Sequence, residues 1–381
     1  MISREGMHES PFHISARLDL TTSQKWIIKA IGIVVGLVIC ALVCAIINPG
    51  TFFSFFGELF VGCFSSVRKV LNLFEEMAVL LLISVALAPA FKMKFWNIGA
   101  EGQVLMGALG CTFVMFKIAP ELGNGFGNVI SIILELSFAV LFGVIWAAIP
   151  AIFRAFFGTN ETLFTLMMNY IAKGIVVLMI SIWIKSGSGI IPALQYGRLP
   201  TFGGYKYILN IIIVAILVVA LSLYLLYSKH GYEISVIGGS VNTARYVGIN
   251  VKKVTIRTMI LCGALCGVAG FLITAGGNYS VSDTSAGGRG FTAILICWLS
   301  NFDPLEMTLT SFLVSFITNG SKQAESTFHS SGSFVDIMIG VFFFVIIAST
   351  FFMSYRVKFI EDFKKWLKKV FSKKEKKEVV E

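Results

Sequence analysis

Four stretches of this 381-residue chain carry no charged side chain: 30–57, 207–228, 258–282 and 337–355. A helix needs roughly 20 apolar residues to cross about 30 Å of hydrocarbon, and each run comes close to or exceeds that length. In lipid the backbone has to satisfy its own hydrogen bonds, so runs of this kind fold as helices. Composition agrees. Hydrophobic residues make up 56% and charged residues 14%, where soluble domains hold roughly 25% charged residues. A disordered chain, a disulfide-stapled secreted domain, a nucleic-acid-binding domain and an ordinary cytosolic enzyme are excluded.

Interrupted apolar runs mark further spans near 72–91, 98–118, 129–149 and 162–184. A broken pair lies near 289–302 and 304–320, parted by Asn301-Phe302-Asp303-Pro304. The expected fold is an all-α polytopic membrane protein with about ten transmembrane helices. With the N-terminus inside, the inner segments hold 21 Lys and Arg and the outer segments 7. Positive charge stays inside, so both termini are expected in the cytosol. If the 289–320 pair does not cross, the number of spans falls by two and the termini keep their side.

Three regions are expected: a cytosolic N-terminal extension (1–25), a transmembrane domain (26–355) and a basic tail (356–381). The extension carries Arg4, Glu5, Glu9, Arg17 and Asp19 and no adjacent cleavage pattern, which fits a cytosolic extension better than a signal peptide. The net charge is +10, and residues 355–381 hold ten Lys and Arg against five Asp and Glu. In the tail Phe359, Ile360, Phe363, Trp366, Leu367, Val370 and Phe371 recur at helical spacing, with Lys364, Lys365, Lys368 and Lys369 opposite. This predicts an amphipathic helix lying on an anionic inner leaflet.

Catalytic patterns are missing from the sequence. There is no G-x-x-x-x-G-K-[ST] and no G-x-S-x-G, and His8, His13, His230 and His329 are scattered over termini and loops. The seven cysteines include no CxxC; the pairs Cys40/Cys44 and Cys262/Cys266 share helix faces, where they read as small packing residues rather than metal ligands. No cofactor, metal or enzymatic activity is expected. The chain reads as a carrier, a channel or a transporter subunit.

The most informative stretch is 95–103, Phe-Trp-Asn-Ile-Gly-Ala-Glu-Gly-Gln. Its glycines allow close helix contact. Asn97, Glu101 and Gln103 are polar groups at the cytosolic mouth of an expected span, where they should face protein or water. A plainer role for Glu101 is to favour the dipole of its own helix N-terminus. Lys173, midway along 162–184, costs roughly 2.5–3.5 kcal/mol on insertion scales. It is a candidate for facing the pathway or for pairing with Glu101 or Glu135. Asn169, one turn from Lys173, and Asn278, Arg289 and Thr292, at or near the outer mouth of the later helices, complete the pathway candidates. Met168 and Trp183 read as packing residues. The outer loop 185–206 is flexible and polar, suited equally to a receptor or to a plain linker.

The 228–257 segment is the longest inner connection between spans and has five basic residues. Residues 242–246 can form a short helix that Gly248 ends. Such a helix across the membrane surface can carry force from a cytosolic motor.

Asn-Ile-Gly-Ala-Glu-Gly-Gln at 97–103 resembles ABC-importer permeases of the branched-chain amino acid/ribose type. Three further stretches agree in order: 160–172 (Asn-Glu-Thr-Leu-Phe-Thr-Leu-Met-Met-Asn-Tyr-Ile-Ala), 239–250 (Gly-Ser-Val-Asn-Thr-Ala-Arg-Tyr-Val-Gly-Ile-Asn) and 288–294 (Gly-Arg-Gly-Phe-Thr-Ala-Ile). The branch that looks most similar imports nucleosides with basic-membrane-protein-type lipoprotein receptors; related permeases import riboflavin or simple sugars. The resemblance covers about 25–355. It implies half of a translocation pathway in a bacterial inner membrane. It also implies three partners: a second permease subunit, a separate cytosolic ATPase and a substrate-binding lipoprotein. On the resemblance, Gly239, Asn242, Ala244, Arg245, Tyr246, Gly248 and Ile249 form the segment that couples to the ATPase, with Arg245 toward an acidic residue there. An ion-coupled secondary transporter is the rival class, which a broken 289–320 segment and Lys173 would suit.

Overall fold

A computed structural model describes residues 12–16, 21–123, 125–184, 191–330 and 332–359. In chain order the elements are β1 (Phe12–Ala16), α1 (Thr22–Ile47), α2 (Phe52–Phe64), α3 (Val67–Lys92), α4 (Ala100–Lys117) and α5 (Ala119–Leu122). Next come α6 (Phe126–Phe157), α7 (Glu161–Trp183), α8 (Ile208–Tyr227), α9 (Lys229–Gly239), α10 (Val241–Tyr246) and α11 (Val251–Ile273), the last continued by a π turn, Thr274–Asn278. The chain then forms α12 (Arg289–Leu299), α13 (Pro304–Phe328), α14 (Phe334–Ser354) and β2 (Tyr355–Phe359).

The protein is an all-α polytopic membrane protein. Among the described residues, seven helices are long and apolar enough to cross a bilayer: α1, α3, α6, α7, α8, α11 with its π turn, and α14. The other expected spans, α4, α12 and α13, are helices as well but do not join that set. At eleven residues, α12 reaches about 16 Å, half a crossing. The apolar α2 takes the end of the charge-free run 30–57 and the residues after it; its thirteen residues are too few to span.

Local chemistry sets the boundaries. Helix α1 begins at Thr22, ahead of the apolar run, because Thr21 and Gln24 form a capping box: Gln24 N donates to Thr21 Oγ1 (3.4 Å) and Thr21 N to Gln24 Oε1 (3.1 Å). The N-terminal extension therefore gives its last residues to α1. At the other end, Tyr-Arg-Val-Lys-Phe alternates apolar and basic residues, a period of two that suits a strand. It pairs antiparallel with β1, Phe12 opposite Phe359 and Ala16 opposite Tyr355. Phe359, expected on the apolar face of the tail helix, is thus a strand residue; residues 360–381, where the rest of that helix was expected, lie outside those described.

Among the described residues two compact units form, one within 1–55 and 332–381 and one within 56–331. In the first, α1 packs on α14: Phe342 lies over Gly36, and Cys40 Sγ donates to Met338 O (3.5 Å). In the second, α3 and α11 are central, with 72% and 78% of their most apolar windows buried, while those of α6, α7 and α8 are a third buried or less. Helix α11 meets α6 at backbone distance. A Cβ on Gly267 would overlap the carbonyl of Ala139, and Gly143 approaches Gly263 and Gly267 in the same way. Small residues permit this approach, and close backbone packing is what drives association where lipid removes the hydrophobic contrast.

This contact leads to a stability test. Gly267→Ala is expected to cost about 1–3 kcal/mol through overpacking and to lower the thermal midpoint of the purified protein. Gly174→Ala, at a position on α7 with open space around it, is expected to leave the midpoint unchanged or raised.

Candidate functional site

The segment between α3 and α4 is tied to α4, α7 and α11. Asn97 is buried; its Oδ1 accepts from Gly99 N (3.0 Å) and Gln103 Nε2 (3.2 Å), and its Nδ2 donates to Cys262 Sγ on α11 (3.3 Å). From α7, Thr165 Oγ1 accepts from Ile98 N (3.1 Å), and Asn169 brackets the turn, donating to Ile98 O (2.9 Å) and accepting from Gly102 N (2.8 Å). Asn169 can do this because Glu161, Thr165, Met168, Asn169, Ala172 and Val176 form the buried stripe of α7.

Glu101 makes the decisive contact. Its Oε1 accepts from Gly288 N and its Oε2 from Gly290 N, both at 2.8 Å. Those amides belong to the first turn of α12, and Glu101 stands in the first turn of α4. Two helix N-termini therefore meet, each with unsatisfied amides and the positive end of its dipole. The buried carboxylate between them compensates both with charge-assisted bonds. The backbones also touch: a Cβ on Gly290 would overlap the amide of Glu101.

This geometry corrects the expected depth of the motif. Asn97 meets Cys262, eight residues beyond Val254 and so about 12 Å along α11 from its lower turns. Asn97, Glu101 and Gln103 thus sit inside the helix bundle, not at its mouth. Because Glu101 holds Gly288 and Gly290, α12 also begins inside, and Arg289 and Thr292 leave the outer mouth where the sequence placed them. Asn278, at the end of the π turn, is exposed and remains apart from this junction.

A second polar cluster went unread in the sequence. Glu76 accepts from Asn319 Nδ2 (2.7 Å) and pairs with Lys322 (3.2 Å) and Arg289 (3.7 Å). Its neighbour Glu75 accepts from Asn210 Nδ2 of α8 (3.3 Å). Arg289 joins the two clusters: its backbone sits in the α12 turn held by Glu101, and its guanidinium reaches Glu76. The signal was present, since two adjacent carboxylates interrupt an otherwise apolar run.

Lys173 is half-buried at the edge of the α7 stripe. The ion pairs considered for it are not formed: Glu101 is occupied by the two amides, and both oxygens of Glu135 lack a hydrogen-bond partner. Met168 is buried, and Trp183 stacks on Phe116 (5.6 Å between centroids), as expected of packing residues. Residues 185–190 of the outer loop lie outside those described, while the next stretch is pinned to the π turn by Leu194 N to Tyr279 O (2.8 Å) and Leu199 N to Ala275 O (3.1 Å).

The 228–257 connection forms two short helices joined at Ser240, which ends α9 and whose Oγ accepts from Thr243 N (3.3 Å) to cap α10. Gly248, with φ +85°, closes α10, and Ile249 N returns to Ala244 O (2.9 Å). Asn242, Arg245 and Tyr246 are exposed, Tyr246 at 93%, as is Gly239. Ala244 is buried among Met93, Phe95, Ala147, Ile234, Ile237 and Val254. In the first turn of α9, His230 is buried between Tyr224 Oη (3.1 Å) and Thr258 Oγ1 (2.9 Å). Burial, helped by the charge of Arg257 and opposed by Glu233, lowers its pKa from 6.5 to about 4.

A family model described as "Branched-chain amino acid transport system / permease component" matches residues 69–348. The chain is similar to the glucose ABC transporter permease protein TsgB13 of Haloferax volcanii, 26% identical over 79% of this chain and 82% of that protein. It is similar to the guanosine ABC transporter permease protein NupP of Bacillus subtilis, 27% identical over 80% and 87%. It is also similar to the nucleoside ABC transporter permease protein NupB of Lactococcus lactis, 25% identical over 69% and 75%. No solved structure matches it.

Two outcomes are expected from the geometry. Glu101→Gln replaces an acceptor with a donor that opposes an amide and removes the charge. Each lost charge-assisted bond is worth about 1.5–3 kcal/mol, so a clear fall in thermal midpoint is expected, with Glu101→Ala at least as damaging. For His230, the unfolded state takes up a proton at a higher pH than the folded state. The stability it permits is complete above about pH 6.5 and is lost as pH falls toward 4. Amide exchange across 229–246 should rise over that window, and His230→Gln should flatten the dependence.

Proposed function

The chain belongs to this permease family, and on that premise we propose that it is one half of the translocation pathway of an ATP-driven importer of nucleosides. The observation that carries the reading is a continuous mechanical path from an exposed surface helix to a polar junction inside the bundle. Helix α10 exposes Asn242, Arg245 and Tyr246 and buries Ala244 in the apolar cluster that also holds Met93 and Phe95. Phe95 leads directly to Asn97, and the turn it begins holds Glu101 against α12. A push on α10 by a cytosolic ATPase moves the 93–99 segment, and with it the α4–α12 junction and Arg289. In this reading Gly239, Asn242, Ala244, Arg245, Tyr246, Gly248 and Ile249 are the coupling segment. Asn97, Glu101, Gln103 and Asn169 fix the geometry of the junction, while Arg289, Thr292, Asn278 and Lys173 border the pathway.

The count of crossings in this reading is ten, with α4 and α12 as discontinuous spans completed by the turn-containing, non-helical segments 93–99 and 279–288. Both termini are cytosolic, and the membrane is a bacterial inner membrane. The partners are an ATPase, a second permease and a substrate-binding lipoprotein. Nucleosides are favoured by the relatives named for guanosine and nucleosides; the glucose permease relative supports a sugar as the second reading.

Uptake by the reconstituted complex tests this. Guanosine uptake should require ATP and the lipoprotein, and Arg245→Glu should reduce it by about tenfold or more by opposing the partner's charge while protein levels stay normal. Uptake driven by an ion gradient without ATP would overturn the proposal, and ATP-driven uptake of glucose but not guanosine would transfer it to sugars.

A further inference from the structure

A cavity of about 710 Å³ opens at the end of the bundle that the loop charges assign to the cytosol. Four separate segments line it: Met93–Phe95 before α4, the α6–α7 turn, the α9–α10 pair and the first turn of α11. Its charged residues are Lys94, Arg154, Arg245, Lys252 and Glu161. Glu161 is taken by Arg154 Nε at 3.1 Å, and the same guanidinium donates to Gly158 O (3.3 Å) and Thr159 O (3.1 Å). Among the described residues, no carboxylate pairs with Lys94, Arg245 or Lys252, so the cavity carries three uncompensated cations.

The local backbone adds to that excess. Helix α11 starts at this cavity with Asn250 as its cap, has no acidic residue in its first turn and places Lys252 and Lys253 there. Cations at the positive end of a helix dipole are unfavourable unless an anion stands nearby. Beside the cations lies an apolar surface. Phe153, Phe156 and Phe157 at the end of α6 are exposed, Phe157 at 73%, and Phe153 stacks against Phe164 of α7 (5.1 Å between centroids). Lys252 bridges the two surfaces, its ammonium 4.9 Å from the Phe156 ring centroid.

We propose that this cavity binds the phosphate headgroup of an anionic phospholipid of the inner leaflet, with Lys94 and Lys252 around the phosphate and the acyl chains along Phe153, Phe156 and Phe157. Charge complementarity selects an anion, and the adjoining aromatic surface on a lipid-facing helix selects one that carries acyl chains. Basic pockets at the cytosolic ends of membrane helices recognise headgroups by these means. A lipid here fills a cavity that α10 and the 93–95 segment both line, so its occupancy sets how firmly the surface helix is held to the bundle.

The full-length chain in nanodiscs of mixed phosphatidylglycerol and phosphatidylcholine provides the test. Native mass spectrometry of the released protein should show retained phosphatidylglycerol in preference to phosphatidylcholine. Lys94→Gln and Lys252→Gln should each weaken retention about fivefold at unchanged thermal midpoint, and Lys94→Arg with Lys252→Arg should restore it. Equal retention of both lipids, or retention unaffected by the glutamine variants, overturns the proposal. So does displacement by inorganic phosphate as effective as by phosphatidylglycerol, since a free anion would then suffice. In the complete transporter, cross-links from Lys94 to the ATPase with no lipid retained would assign the cavity to a protein partner and likewise overturn it.

Discussion

A buried carboxylate between two helix N-termini holds this fold together. Helices α4 and α12 both begin inside the bundle, where free amides and two positive dipole ends would otherwise repel in a medium with little water. Glu101 resolves this by accepting from Gly288 and Gly290 at once. The contact also explains residue choices around it. Gly290 has to lack a Cβ because the α4 backbone lies against it, and Asn169 has to be bidentate because the turn entering α4 has both an amide and a carbonyl to satisfy.

From this junction, ties run in two directions. Through Arg289 it reaches Glu76, Lys322 and Asn319, which join α3 to α13. Through Asn97 and Phe95 it reaches the apolar cluster beneath α10. The surface helix, the α4–α12 junction and the polar cluster of α3 are therefore neighbours in one chain of contacts within a single compact unit. Packed helices with glycine contacts such as that of α6 with α11 deform little, so a displacement at one end is passed on rather than absorbed.

The sequence was most legible where one physical signal dominated. Charge-free runs marked α1, α8, α11 and α14, and residues 242–246 with Gly248 beyond them, inside a basic connection, marked α10 and its end. Asn97, Glu101, Gln103 and Asn169 stood out as polar residues in apolar surroundings, and the structure gathers all four. What the pattern lacked was depth. Hydropathy treats 92–97 as a loop and cannot show that its non-helical part buries Met93, Phe95 and Asn97 in the bundle, so the motif seemed to lie at the mouth. The Glu101 partners were equally hidden, because backbone amides nearly two hundred residues away leave no trace in side-chain spacing. The strand at 355–359 escaped because Phe359 also fits the helical spacing of the apolar residues at 360–371. Glu75 and Glu76 were passed over as mere interruptions, although two carboxylates within a span demand partners.

Amide hydrogen exchange of residues 286–292 in the folded protein measures the central contact most directly. If the Glu101 carboxylate joins the two helices, the Gly288 and Gly290 amides exchange slowly in the native chain and about a hundredfold faster or more after Glu101→Gln, a change that reports the loss of roughly 2.7 kcal/mol of protection. Rapid exchange at both glycines in the native chain, or slow exchange indifferent to the substitution, would contradict it.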